Sequence, residues 1–182
     1  MALGATVYRI EIALSDVDRS VYETFDLRIA RHPSESARYM LTRVLAYALS
    51  YEEGIAFSKG GLSSTDDPPL AVHDRTGLLL AWIDVGSPSA ERLHRASTAA
   101  PRVQIYTYAN IGQLRKEASS RTIHRMDAID VWCLDAAWLD SLEPRVDRHT
   151  KFELTRSDAR LYLTIGGQQF ETEIARTGLT ER

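Results

Sequence analysis

Leu78-Leu79-Leu80-Ala81-Trp82-Ile83-Asp84-Val85-Gly86 is the stretch that decides the fold of this 182-residue chain. Its run of consecutive apolar residues, bounded by turn residues, predicts a strand that is buried on both faces in the middle of a sheet. Asp84 at the end of that strand needs an explanation. Aspartate is depleted in strands, and a buried charge is costly unless it is paired or binds a metal. The sequence therefore directs the search for a functional site to Asp84.

Helices and strands alternate on both sides of this central strand, between residues 34 and 142. Apolar residues recur at helical spacing after His32-Pro33-Ser34, and two further helices are predicted over about 90–100 and 110–119. Strands are predicted over 102–108 and 127–134. This order predicts an α/β (α+β) fold in which a mixed, partly parallel central sheet is flanked by helices.

Both ends of the chain alternate with period two, which predicts strands. Residues 6–14 and 21–30 form a predicted antiparallel hairpin, and three predicted strands follow between 151 and 174. We expect one domain over residues 1–182, with the core over about 34–142. The hairpin at 5–31 and the β-meander at 150–175 are expected to pack together as an additional antiparallel sheet.

The composition is that of a globular protein with a net charge of −3, so contact with phosphates requires a local basic surface. Cys133 is the single cysteine, which excludes an internal disulfide and a zinc site with several thiolates; we expect it to be buried and inert. Charged residues come too early for a signal peptide, and no apolar run reaches spanning length. We therefore expect a cytoplasmic protein with no membrane contact.

Three carboxylates are candidate ligands for Mg²⁺. Folding the predicted hairpin about the turn at 74–77 places Asp84 opposite the neighbourhood of residues 66–68, which brings Asp67 close. Glu35 at the start of the first helix is the third candidate. Mg²⁺ takes oxygen ligands, often one or two carboxylates with phosphate and water, and it can supply an attacking hydroxide. Arg92 and Arg95 on the following helix are candidate contacts for a phosphate.

Each of these residues also has a simpler interpretation. Asp66 and Asp67 can be ordinary turn residues, and Asp84 can pair with an arginine. Glu35 can be a solvated acid favoured by the helix dipole, and the two arginines can form a solvated helix face. The hairpin register leaves open whether Asp66, Asp67 or Asp74 partners Asp84.

Several motifs resemble the YaeQ family of small bacterial proteins, and the resemblance covers essentially the whole chain. The motifs are Ala30-Arg31-His32-Pro33-Ser34-Glu35, Trp82-Ile83-Asp84-Val85-Gly86, Arg92-Leu93-His94-Arg95-Ala96 and Tyr106-Thr107-Tyr108. The family is similar in fold to the PD-(D/E)xK, restriction-endonuclease-like nucleases. The resemblance implies a restriction-endonuclease-like core and a metal site for cleaving phosphodiester bonds.

The chain departs from the nuclease pattern at two points: Gly86 stands where the pattern has a lysine, and Asp67 precedes its proline. The resemblance also implies that relatives often carry an acidic residue near Pro69 and a lysine near Arg95. Arginine stabilises phosphoryl charge but cannot act as a base near neutral pH. The resemblance therefore implies two alternatives: a nuclease-like protein of unproven activity acting on DNA or RNA, or a non-catalytic nucleic-acid- or protein-binding module in gene expression or repair.

In the first alternative, carried over from the resemblance, Glu35, Asp67 and Asp84 hold Mg²⁺ while Arg92 and Arg95 steady the scissile phosphate. In the second, the metal site is degenerate and catalysis is lost. The sequence leaves open the substrate, the oligomeric state, the pathway and whether the protein is an enzyme.

Overall fold

The computed structural model describes residues 4–59 and 66–180 and contains two β-sheets and four α-helices in that part of the chain. In chain order the elements are β1 (Thr6–Asp16), β2 (Val21–Arg31), α1 (Ala37–Leu49), β3 (Ile55–Phe57), β4 (Leu70–His73), β5 (Leu79–Val85), α2 (Ala90–Ala99), β6 (Arg102–Thr107), α3 (Ile111–Ala118), β7 (Asp130–Cys133), α4 (Ala136–Leu142), β8 (His149–Ser157), β9 (Arg160–Ile165), β10 (Gln168–Glu173) and β11 (Ala175–Gly178).

The larger sheet has the strand order β11-β7-β6-β5-β4-β3, with β5 in its interior. β5 pairs in parallel with β6, and β6 with β7, while the remaining pairs are antiparallel. α2 and α3 make the crossovers between the parallel strands, as parallel pairing requires a long connection. The predicted mixed, partly parallel central sheet is confirmed. Residues 60–65, which precede β4, lie outside the described residues.

The second sheet has the order β10-β9-β8-β1-β2 and differs from the prediction in one respect. The hairpin and the C-terminal meander share this sheet as expected, but β1 pairs with β8 in parallel, so the sheet is mixed. Alternation with period two tells which side chains face the core and does not encode strand direction. The sequence therefore found the strands and assigned the wrong direction to one pairing.

The chain divides into two compact units. The first comprises Met1–Leu41 and Leu134–Ile174 and contains the five-stranded sheet; the second comprises Thr42–Cys133 and Ala175–Arg182 and contains the six-stranded one. The prediction of one domain over residues 1–182 stays a prediction. In the described part of the chain, no helix is both long and apolar enough to span a membrane.

One apolar core in the second unit fixes α2 against the sheet. It gathers buried side chains from β5, α2, β6, α3 and β7, among them Trp82, Leu93 and Ile105. Ser89 caps α2 by accepting a hydrogen bond from the backbone N–H of Arg92 at 3.3 Å. The guanidinium of Arg125 serves the other end, because it donates to the carbonyls of Ser97 and Ala100 at 3.2 and 3.1 Å. With both ends held, the polar flank of α2 has a fixed position beside the end of β5.

Cys133 at the end of β7 is half-buried rather than buried. Burial raises the pKa of its thiol, although Arg115 acts in the opposite direction. A thiol that keeps its proton is a poor nucleophile, which agrees with the expected inertness.

Candidate functional site

Asp84 lies at the carboxyl end of β5 and is 2% exposed. The antiparallel register pairs Ile83 with Leu70 of β4, so the chain just before β4 runs alongside the end of β5. Extended by one residue, this register places Asp84 opposite Pro69. The sequence placed Asp84 opposite residues 66–68, one residue away from the observed register.

The Asp84 carboxylate is surrounded by hydrogen-bond donors. The Nε atom of Arg92 lies 2.9 and 2.8 Å from its two oxygens. The indole Nε1 of Trp82 donates to Oδ2 at 3.0 Å, and the backbone N–H of Val85 donates to Oδ1 at 3.3 Å. The guanidinium of Arg92 also lies over the Trp82 ring, 5.6 Å from its centroid. The simpler interpretation of Asp84, pairing with an arginine, is confirmed.

Burial has the largest influence on the protonation of Asp84. Loss of solvent raises the pKa of this carboxyl, while the charge of Arg92 and the hydrogen bond from Trp82 act in the opposite direction. Burial thus works against the ionised form of Asp84, and Arg92 is the cation that offsets this cost.

The aspartates before β4 also contact arginines of α2, through different atoms. Arg92 donates from Nη2 to the backbone carbonyl of Asp67 at 2.9 Å, while the side chain of Asp67 is exposed. Arg95 forms an ion pair with Asp66 and lies 3.7 Å from a carboxylate oxygen of Glu91. Arg92 thus joins the Asp84 side chain to the Asp67 backbone, a junction that we call the Asp84 corner, and the convergence of the two carboxylates on one metal ion stays a prediction.

Asp74, the third candidate partner of Asp84, closes its own turn instead. Its Oδ1 accepts hydrogen bonds from the hydroxyl and backbone N–H of Thr76 and from the backbone N–H of Leu78, at 2.6 to 2.9 Å. The hydrogen bond from the Thr76 hydroxyl is the largest cause that lowers the pKa of Asp74. This residue shapes the turn between β4 and β5.

Glu35 belongs to the first unit and is 3% exposed, so its interpretation as a solvated acid is wrong. It also precedes α1, which begins at Ala37, rather than lying in its first turn. The carboxylate accepts a hydrogen bond from the backbone N–H of His32 at 3.2 Å, and the Glu35 carbonyl accepts one from Arg31 at 2.9 Å. Its role as a third metal ligand stays a prediction.

The donor set around Asp84 does not fit a divalent cation in this arrangement. Mg²⁺ needs oxygen ligands with lone pairs directed at one point, whereas both oxygens of Asp84 face N–H groups. Across residues 4–59 and 66–180, no three His, Cys, Asp or Glu side chains gather closely enough to hold a metal ion. A cation could bind Asp84 only after Arg92 had moved away.

Gly86 has a backbone conformation that excludes most side chains. Its φ of 82° is in the region that residues other than glycine rarely adopt, and its N–H donates to the carbonyl of Tyr106 at 2.9 Å. The nuclease pattern has its lysine at this position. A lysine here would be strained while this backbone geometry is kept.

Sequence reasoning missed two features of this region. One is Trp82 as a donor to Asp84, which the i, i+2 spacing on one strand could have indicated, because such residues share a face. The other is a cleft of about 380 Å³ on the outer flank of α2, lined by Glu91, His94, Arg95, Thr98, Ala99 and Arg121. The helical spacing of 91, 94, 95 and 98 predicts a shared face, but sequence alone could not bring Arg121 to it.

Comparison with known proteins gives one consistent result over the whole chain. A family model described as YaeQ protein matches residues 1–174. The proteins named "Uncharacterized protein YaeQ" of Salmonella typhi and of Escherichia coli strain K12 are each 30% identical over 176 residues, which is 96% of this chain and of each relative.

Two solved structures are similar in fold. The crystal structure of YaeQ protein from Pseudomonas syringae has a TM-score of 0.85 and 30% identity, and covers 98% of this chain and 97% of that one. That of YaeQ protein from Xanthomonas axonopodis pv. citri has a TM-score of 0.85 and 27% identity, with 96% and 98% covered. These names state no activity, so function has to be argued from the site.

Proposed function

This chain belongs to the YaeQ family, and we propose that it is a nucleic-acid-binding module with a nuclease-like, restriction-endonuclease-like core and a degenerate, non-catalytic PD-(D/E)xK site. The mixed sheet, with helices in its parallel crossovers and a carboxylate at the end of its central strand, supports the nuclease-like scaffold. In this proposal the protein binds the phosphate backbone and leaves it intact.

The ion pair between Arg92 and Asp84 is the observation that carries the proposal. Both oxygens of the carboxylate lie within hydrogen-bond distance of the guanidinium, so the protein itself neutralises the charge that a metal would need. Gly86 stands where the nuclease pattern has a lysine, and its φ of 82° disfavours a lysine there. A hydrolytic site without a bound metal and without that lysine would retain binding at most.

Because Arg92 is paired with Asp84, Arg95 and Arg121 supply the cations for a phosphate backbone. The side chain of Arg95 is 41% exposed, and Arg121 is an exposed residue that lines the same cleft. The molecule as a whole carries a charge of −3, so any attraction must be local. We therefore expect weak binding that falls steeply as salt increases.

A Mg²⁺-dependent nuclease is the second candidate function, and Asp84 itself favours it. A fold gains little from keeping a buried carboxylate whose pKa is raised by burial, since an apolar pair of similar volume is often as stable. Retention of the charge is expected where it serves chemistry.

Binding and cleavage measured together separate the two candidates. Fluorescein-labelled single-stranded 20-mers of RNA and DNA are titrated in EDTA and in Mg²⁺ by anisotropy, and the same samples are run on denaturing gels. We expect equal affinity in both buffers, no product, and for Arg95→Ala a salt slope reduced by about 0.7, the value of one phosphate contact on a single strand.

Asp84→Asn and the matched control Asp140→Asn decide the catalytic question, because Asp140 is an exposed ion-paired aspartate of the first unit. Mg²⁺-dependent product that is lost in Asp84→Asn and kept in Asp140→Asn would overturn the non-catalytic proposal and establish the nuclease. Absence of binding to both RNA and DNA would reject both candidates.

A further inference from the structure

The cleft beside α2 combines cations with a hydrogen-bond acceptor, which is an unusual lining for a site that binds phosphate alone. Arg95 and Arg121 provide positive charge, whereas Glu91 and His94 lie on the same walls. The phosphodiester group of a nucleic-acid backbone offers only acceptor oxygens, so it matches the arginines and not the acceptors. A ribose joined to a phosphate offers both kinds of group.

The imidazole of His94 has a fixed tautomer in its neutral form. Its Nδ1 lies 3.0 Å from the backbone carbonyl oxygen of Thr122, and a carbonyl oxygen can only accept a hydrogen bond. Nδ1 therefore carries the proton, and Nε2 of the neutral ring is left as an acceptor. Within residues 4–59 and 66–180 no hydrogen bond of Nε2 is found. The half-buried ring is thus held ready to accept a hydrogen bond at the cleft.

Two arginines line the same cleft as His94 and can contact a phosphate backbone. Arg95 is anchored by Asp66 and Glu91, which fixes the guanidinium on its side of the cleft. Arg121 is exposed, and no ion pair holds it within the described part of the chain. Arginine suits this role because its planar fork matches phosphate oxygens.

We infer that this cleft selects RNA over DNA, with Nε2 of His94 accepting a hydrogen bond from a ribose 2′-hydroxyl while Arg95 and Arg121 bind the adjacent phosphates. The inference rests on the proposed nucleic-acid binding and names its substrate class. Deoxyribose has no donor at this position, so a DNA strand leaves Nε2 without a partner.

Matched oligonucleotides test the inference on the full chain. A labelled RNA 20-mer, the DNA of the same sequence and the 2′-O-methyl RNA are titrated by anisotropy into wild type, His94→Ala and the control His124→Ala, an exposed histidine outside the cleft lining. We expect wild type to bind RNA about fivefold more tightly than the other two probes, the value of one hydrogen bond. His94→Ala should abolish this ratio without weakening DNA binding, and His124→Ala should keep it.

Arg121→Ala provides a second readout, with Arg75→Ala, an exposed arginine on the turn between β4 and β5, as its control. Arg121→Ala should weaken RNA and DNA equally and reduce the salt slope by about 0.7. Equal affinity of wild type for the three probes, or a ratio that survives in His94→Ala, would overturn the selection of RNA and leave the proposed binding intact. Failure of all probes to bind would reject the proposed function itself.

Discussion

Two clusters of aspartate and arginine, one in each unit, handle buried charge in different ways. In the second unit, Asp84 at the end of β5 depends on one guanidinium, that of Arg92, which also serves the Asp67 carbonyl. In the first unit, at the hairpin end of β1, two arginines serve two aspartates. Asp16 is fully buried, yet Arg19 contacts it at 2.8 Å and Arg156 lies 3.7 Å away.

Backbone groups complete the cluster in the first unit. Asp18 accepts hydrogen bonds from the backbone N–H groups of Asp158 and Ala159 at 2.8 and 3.3 Å, and from Arg156 at 3.2 Å. The N–H of Asp158 is the largest cause that lowers the pKa of Asp18. Asp84 has the opposite shift, because burial dominates there and raises its pKa.

The difference lies in how many arginines balance each buried carboxylate. The hairpin cluster places two arginines beside Asp16, so losing one cation leaves another in place, whereas the other donors to Asp84 are the neutral N–H groups of Trp82 and Val85. The Asp84 corner has one counter-charge and a cleft beside it, so its charge adds little to stability and is more sensitive to change.

The largest effect is expected for Arg92→Met, which keeps an apolar stem and removes the charge. Asp84 would then be buried without a cation, and breaking such a pair lowers the free energy of unfolding by about 3–5 kcal/mol. Urea denaturation measures the loss. The control is Arg38→Met, which removes the more exposed pair with Asp140 and should cost less than about 1 kcal/mol. Equal losses in the two variants would contradict the contrast.

A smaller effect is expected for Arg156→Met in the first unit. Asp16 keeps Arg19 and Asp18 keeps its backbone donors, so the loss should be that of a hydrogen bond to a charged group, about 1.5–3 kcal/mol. The double variant Arg19→Met/Arg156→Met should lose more free energy of unfolding than the two single variants together, because Asp16 then loses both arginines. Additive losses in this double-mutant cycle would show that the two arginines do not substitute for each other.

The smallest effects are two opposite slopes of stability against pH. Above the ordinary aspartate pKa of 3.8, the raised pKa of Asp84 makes the folded protein hold more protons than the unfolded one, so its contribution to stability falls as pH rises. The lowered pKa of Asp18 acts below 3.8, where its contribution is lost as pH falls.

Unfolding free energies of wild type, Asp84→Asn and Asp18→Asn between pH 3 and 8 check the signs. The free energy of unfolding of Asp84→Asn, relative to that of wild type, should increase as pH rises above 3.8. The free energy of unfolding of Asp18→Asn, relative to that of wild type, should decrease as pH rises toward 3.8 from below. If the relative free energy of unfolding changed with pH in the same direction in both variants, the proposed electrostatic difference between the two clusters would be wrong.

Much of this architecture is predictable because side-chain periodicity records burial. The predicted helices over about 90–100 and 110–119 correspond to α2 and α3, and the apolar run before Asp84 is the interior strand β5. The predicted strand over 127–134 is shorter, since a 3₁₀ turn at Met126–Ala128 precedes β7. The direction of the pairing between β1 and β8 was wrong because alternation is identical in parallel and antiparallel strands.

The position of the candidate site was predictable, but the contacts that its residues make were not. Aspartate at the end of an apolar strand identified Asp84 as the residue that needs a partner, and pairing with an arginine stood among the interpretations. The choice of Arg92 over Arg95 was not predictable, because both lie on one flank of α2 and differ by a rotation about its axis. The burial of Glu35 was also missed, since nothing in its local sequence distinguishes a buried acid from a solvated one.

By itself, the sequence determined the elements, the mixed central sheet, the family resemblance and the aspartate at the centre of the site, because these depend on local pattern. Only the tertiary structure decided that Arg92 closes on Asp84, that φ at Gly86 is positive, and that Arg121 joins His94 at one cleft. These facts depend on contacts between different elements of the fold. Such contacts are set by how α2 packs on the sheet and leave no periodic signal in the sequence.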